Sequence, residues 1–147
     1  MSLTVKTPGL VLTEHEFRVP LDHSQPDGEK LTVFAREVAE PDGRDRPFLV
    51  FFQGGPGSEA PRPTRNPSSS GWMDRALQDY RVLMLDQRGT GRSTPVGDLP
   101  GMTPEQQAAY LQHFRADSIV RDAEWIRSAL GVEQWSILGQ SFGGFCA

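Results

Sequence analysis

Trp135-Ser136-Ile137-Leu138-Gly139-Gln140-Ser141-Phe142-Gly143-Gly144 is the stretch from which the fold can be read. Residues 135–138 read as a buried strand, and the next five fit G-x-S-x-G, a sharp strand-to-helix turn in which small residues flank a Ser. A side chain at Gly139 or Gly143 would collide with the neighbouring strand or helix as the turn tightens. The same tightness pushes the Ser hydroxyl out above the sheet, so Ser141 is the candidate nucleophile.

Upstream of this strand, Ile119, Ala123, Ile126 and Leu130 recur at steps of four, three and four, with Gly131 where a helix C-terminal residue of positive φ belongs. This predicts a helix from residue 117 to 130 packed on a sheet. Thr103-Pro104-Glu105-Gln106 joins an N-cap Thr, a first-turn Pro and a third-position Gln, so another helix starts there. Residues 47–52 are an apolar run without alternation, as expected of a parallel strand covered on both faces, and residues 80–85 read as the next strand. A short helix, 72–78, lies between them, after a Pro- and Ser-rich loop at 58–71. Nearer the N-terminus, residues 10–21 and 31–38 flank the turn-forming stretch 23–28 and read as an antiparallel hairpin. The expected architecture is α/β: a mostly parallel twisted sheet led by an antiparallel hairpin, in one domain over 1–147.

Composition narrows the function classes. A net charge of -4 with no cluster of Lys and Arg offers nothing to neutralise a phosphate backbone, which argues against nucleic acid as a partner. No run of about eighteen apolar residues exists and no signal-type segment opens the chain, so a soluble, cytoplasmic protein with no membrane partner is expected. The lone cysteine, Cys146, reads as a small buried hydrophobe.

Two further stretches carry chemistry. Gln53-Gly54-Gly55-Pro56-Gly57 follows the strand at 47–52, and a Gly pair there lets backbone N–H groups approach a developing oxyanion unobstructed. Asp86-Gln87-Arg88-Gly89-Thr90-Gly91-Arg92-Ser93 follows the strand at 80–85. It is not a nucleotide loop, because G-x-G-x-x-G would need Gly where Thr94 stands and no Gly-Lys-Ser/Thr follows. It reads as a tight structural turn in which Arg88 or Arg92 pairs with Asp86 near the site.

At these residues the chain resembles the prolyl aminopeptidases, or proline iminopeptidases, a branch of the α/β-hydrolases. The resemblance rests on Gly-Gly-Pro-Gly at 54–57, Asp-Gln-Arg-Gly-Thr-Gly-Arg-Ser at 86–93 and the elbow at 139–143, in matching order and spacing from about Phe48 onward. It implies Ser141 as nucleophile and the N–H groups of Gly54 and Phe142 as oxyanion hole, with Gly55 as fallback for the first donor. It implies release of an N-terminal residue, proline being the one the family is named for, through an acyl-enzyme, with a peptide or small-molecule substrate and no metal or organic cofactor. An esterase or amidase acting on a small ester or lactone, and a catalytically silent binding protein of the same fold, are the rival readings. Two departures stand out: Gln53 occupies the position where the family usually has His, and Gln140 the position where it commonly has Gly.

Chain order in this fold is Ser, then Asp or Glu, then His, and only six residues follow Ser141. His15, His23 and His113 all precede it and read as packed or solvated residues. The expectation is therefore the N-terminal part of a larger domain, truncated after the elbow, without the family's cap region and C-terminal strands. By itself it should be inactive, and its open sheet edge invites a covering chain, including a homo-oligomeric partner.

Overall fold

The computed structural model describes residues 2–63 and 71–147, so residues 64–70 of the predicted loop at 58–71 lie outside the described residues. Six strands form one sheet in the order β1-β2-β3-β5-β4-β6. They are β1 (Ser2–Thr7), β2 (Leu10–Pro20), β3 (Lys30–Ala39), β4 (Phe48–Phe52), β5 (Arg81–Leu85) and β6 (Ser136–Gly139). The helices are α1 (Gly71–Leu77), α2 (Pro104–Leu111), α3 (Ala116–Ala129) and α4 (Phe142–Cys146). β1, β2 and β3 pair antiparallel, and β3 joins β5 antiparallel. β5, β4 and β6 are parallel.

The predicted hairpin is β2 and β3, but it gains a strand that the sequence reading left out. β1 is exposed along its whole length, so it lacks the apolar run that announces a buried strand. The signal it does carry is the alternation of Leu3 and Val5 before Pro8-Gly9, where Gly9 turns the chain at φ +76°.

Covering on both faces explains the continuous apolar runs of β4 and β5. Val50, Phe52, Leu83 and Leu85 share one core with Ile119, Ala123, Ile126 of α3 and Cys146 of α4. Leu49, Phe51, Val82 and Met84 share the other with Met73 and Leu77 of α1. The predicted face of α3 is therefore the buried one, with Leu130 packed against it. α2 begins in the expected capping box: Thr103 Oγ1 accepts from the Gln106 N–H at 3.3 Å, and Gln106 Oε1 accepts from the Thr103 N–H at 2.9 Å.

Topology places the site. From β4 the chain runs through α1 to β5 on one side, then returns through α2 and α3 over the opposite face to β6 on the other. The segments leaving β4 and β6 thus diverge to opposite faces, which makes their C-terminal ends the switch point of the sheet, the place where open α/β sheets hold ligands. The register sets Phe52 opposite Gly139, so the loop after β4 and the turn after β6 meet.

Candidate active site

Ser141 is exposed between β6 and α4 at φ 52°, ψ -118°, a conformation that side-chain-bearing residues rarely adopt. Such a backbone costs about 1–3 kcal/mol and persists only where its surroundings over-determine it. Here the Gln140 N–H donates to the Phe52 carbonyl at 3.1 Å, the Gly143 N–H to the Gln140 carbonyl at 2.8 Å, and the Gly144 N–H to the Ser141 carbonyl at 2.9 Å. The two flanking glycines are required by space. A Cβ on Gly139 would sit 2.5 Å from the Gly143 carbonyl carbon and 2.6 Å from Gly144 Cα, in the helix. One on Gly143 would sit 2.5 Å from the Phe52 carbonyl carbon and 2.8 Å from the Gln53 oxygen, in the strand. The Ser141 side chain makes no cap bond to α4, which leaves its hydroxyl free for chemistry.

The loop after β4 lies against this turn. A Cβ on Gly54 would fall 2.9 Å from the Gln140 carbonyl oxygen and 3.2 Å from Ser141 Cβ, so only glycine allows this approach. The Gly54 N–H, however, donates to its neighbour's side chain, Gln53 Oε1, at 3.2 Å. Gly55 follows at φ +122°. Phe142 is the first residue of α4, and its N–H therefore has no partner within the helix.

In the stretch 86–93 the pairing is not the predicted one. Neither Arg88 nor Arg92 pairs its guanidinium with Asp86. The Asp86 carboxylate instead accepts from the backbone N–H of Ala60 at 3.0 Å and of Arg92 at 3.1 Å, tying the β4 and β5 loops together. Burial pushes its carboxyl above the usual Asp value, with Glu59 adding to the effect while the two N–H bonds oppose it. Arg88 is wholly buried: its Nε donates to Asp122 Oδ2 at 2.7 Å and its Nη2 to Asp122 Oδ1 at 2.5 Å. Further bonds reach the carbonyls of Pro20, Leu21 and His113. Arg92 turns outward to Glu14 at 2.7 Å and Glu16 at 3.3 Å. Asp122, which the sequence reading missed, stands on the buried face of α3 between Ile119 and Ile126, and a carboxylate there needs a cation.

The imidazoles of His15 and His23 are engaged elsewhere, and His113 offers its backbone carbonyl to Arg88. His15 on β2 lies 3.1 Å from Glu37, four strand spacings from β6, about 19 Å. His23 Nε2 is 2.8 Å from Asp122 Oδ1, and the His113 carbonyl receives Arg88. A polar cavity of about 630 Å³ beside His15, Glu37 and Arg81 includes no elbow residue. Cys146 is buried in the core, which raises its thiol pKa. Among the described residues, no cluster of His, Cys, Asp or Glu that could hold a metal is assembled, and no helix is long and apolar enough to cross a membrane.

The profile of the α/β-hydrolase fold family matches residues 47–147. A proline iminopeptidase of Aeromonas sobria is 56% identical over 145 residues, covering 95% of this chain and 33% of that protein. One of Aspergillus aculeatus is 40% identical, covering 95% of this chain and 34% of that protein. The chain thus spans about a third of the length of the curated relatives it matches. Among solved structures, a proline iminopeptidase-related protein of Thermus thermophilus superposes with TM-score 0.53 at 27% identity, covering 91% of this chain and 38% of that one. An α/β-hydrolase of Novosphingobium aromaticivorans does so at TM-score 0.59 and 20% identity, over 90% of this chain and 36% of that one, a likeness of fold.

Proposed function

Because the chain belongs to the α/β-hydrolase fold family and is similar over nearly its whole length to proline iminopeptidases, we propose that it carries the nucleophile of a serine aminopeptidase that releases N-terminal proline. The observation that carries this reading is Ser141, held at φ 52° with the Gly54 backbone packed against its Cβ. An exposed hydroxyl on a strained turn, beside a glycine loop able to surround an oxyanion, is the arrangement that acyl transfer needs.

In the proposed reaction the Ser141 hydroxyl oxygen bonds to the carbonyl carbon of the substrate's first residue as its proton passes to a general base. The carbonyl π electrons move onto oxygen, which the Phe142 N–H and a loop N–H stabilise. Since Gln53 engages the Gly54 N–H, the loop donor is Gly55, the second choice of the sequence reading. Collapse re-forms the carbonyl and breaks the C–N bond, and the leaving amine takes the proton from the base. Water then attacks the Ser141 ester, giving its proton to the base, and the released serine regains it.

The imidazoles of His15 and His23 are paired with Glu37 and Asp122, and all three histidines, His113 included, precede the nucleophile in the chain. In this fold the acid and the His follow the nucleophile in chain order. A polypeptide restricted to residues 1–147 therefore supplies a nucleophile without its activator and is expected to be inert. The test is hydrolysis of proline arylamide by the intact protein as its source cell makes it, with Ser141→Ala beside it. Turnover that falls by several orders of magnitude in the variant supports the reading. Hydrolysis of aryl esters with none of proline arylamide would replace the aminopeptidase by an esterase.

A further inference from the structure

The loop that faces Ser141 is built from Gly54, Gly55, Pro56 and Gly57, so three of its four positions have no side chain with which to hold the backbone. Its anchor comes from the neighbouring strand. The β4–β5 ladder ends at the pair Phe52 and Leu85, and two residues past Leu85 the Gln87 side chain continues the cross-link: its Nε2 donates to the Gln53 carbonyl at 3.0 Å. Gln87 is 2% exposed, and a buried amide keeps such a bond because water is not there to replace it. Gln87 is itself fixed. Its carbonyl accepts from both the Thr90 N–H at 3.0 Å and the Thr90 hydroxyl at 2.7 Å.

The consequence is directional. In a trans peptide the C=O and the following N–H point opposite ways, so holding the Gln53 oxygen sets the aim of the Gly54 N–H, which Gln53 Oε1 then engages. With both polar groups of that peptide tied, the chain enters Gly54 from a fixed direction and close against the elbow, and the next peptide, which bears the Gly55 N–H, starts from that anchored position.

We propose that Gln87 is a positioning residue of the oxyanion loop: its buried amide orients the Gln53–Gly54 peptide and thereby aligns the Gly55 N–H with the oxygen of the attacked carbonyl. The proposal rests on the serine aminopeptidase reading. Its test uses Gln87→Glu and Gln87→Met in the intact protein, with proline arylamide as substrate. Gln87→Met cannot donate to the Gln53 carbonyl at any pH, and Gln87→Glu cannot once its carboxyl is ionised, which burial at this position displaces to higher pH; complete loss of an oxyanion donor costs roughly 10²–10³-fold. A misaligned donor should cost about 10–100-fold in kcat with KM changed less than about threefold. Protonated Glu regains an O–H donor, so the deficit of Gln87→Glu should shrink as pH falls, whereas that of Gln87→Met should not. This split separates positioning from a general loss of packing. If wild type turns over and Gln87→Met stays within twofold of its kcat, or if the Gln87→Glu deficit is the same at every pH, the proposal fails and the aminopeptidase reading stands. If wild type neither hydrolyses the substrate nor reacts with a fluorophosphonate, both fall. Should Gln87→Glu not fold, the kcat and KM of Gln87→Met decide.

Discussion

Gly143→Ala and Gly144→Ala add the same methyl group one residue apart, and the structure assigns them opposite outcomes. The Cβ at 143 would lie 2.5 Å from the Phe52 carbonyl carbon and 2.8 Å from the Gln53 oxygen, whereas the one at 144 meets nothing nearer than the Gly139 oxygen at 3.6 Å. Carbon atoms are at ease at about 3.5 Å, so the first substitution demands a displacement of about 1 Å. The atoms in the way are backbone at the end of β4, hydrogen-bonded to β5 and β6, with no rotamer to change. Overpacking of this kind costs about 1–3 kcal/mol. Because the shift moves the very loop that faces Ser141, a misplacement near 1 Å should also lower kcat by about 10²-fold. Gly144→Ala sits in α4 without a clash, and the better helix propensity of Ala should leave it neutral or up to about 1 kcal/mol more stable. Urea unfolding and proline arylamide turnover of the two variants measure both effects. Equal unfolding free energies, or a Gly143→Ala enzyme with wild-type kcat, would refute the view that β4 and the elbow are locked together through this glycine.

Ser141→Gly should be inactive yet more stable than Ser141→Ala by about 1 kcal/mol or more, since glycine adopts φ 52° without strain; thermal melting of both variants checks it, and the reverse order would remove strain from the account. Asp122→Ala leaves the wholly buried Arg88 guanidinium uncompensated and should cost about 3–5 kcal/mol in denaturant unfolding; a loss under about 1 kcal/mol would contradict the assigned role. For Glu37, burial raises the carboxyl pKa, but the His15 hydrogen bond and the Arg81 charge outweigh it and hold the group below 4.5. The folded value being depressed, Glu37 adds stability above pH 4.5 that is lost as pH falls through the lower, folded value. The stability difference between wild type and Glu37→Gln should therefore be flat near neutrality and shrink in acid, and a constant difference down to pH 3 would count against the His15–Glu37–Arg81 cluster.

Strands buried on both faces were legible because the positions covered on both sides, Phe48 to Phe52 in β4 and Val82 to Leu85 in β5, are all apolar, and α3 because its periodicity matches the sheet it covers. The Thr103 capping box was legible because its two bonds are local. β1 was not, since an exposed edge strand is held by backbone bonds that any residue can make. The elbow's steric logic followed from residue types, and the clashes at Gly139 and Gly143 bear it out. Partners chosen through space were out of reach: Arg88 passes over the nearby Asp86 for an Asp that is 34 residues away in sequence but closer in the fold. The engagement of the Gly54 N–H depends on the conformation of the Gln53 side chain, which residue types do not specify.

The central claim is that Ser141 is an activated nucleophile. Treating the intact protein with a fluorophosphonate probe, digesting it and sequencing the labelled peptide by mass spectrometry tests this most directly. One adduct is expected, on Ser141, formed at neutral pH and absent from Ser141→Ala. An intact, folded protein that takes up no label, or takes it up elsewhere and keeps it in Ser141→Ala, would contradict it.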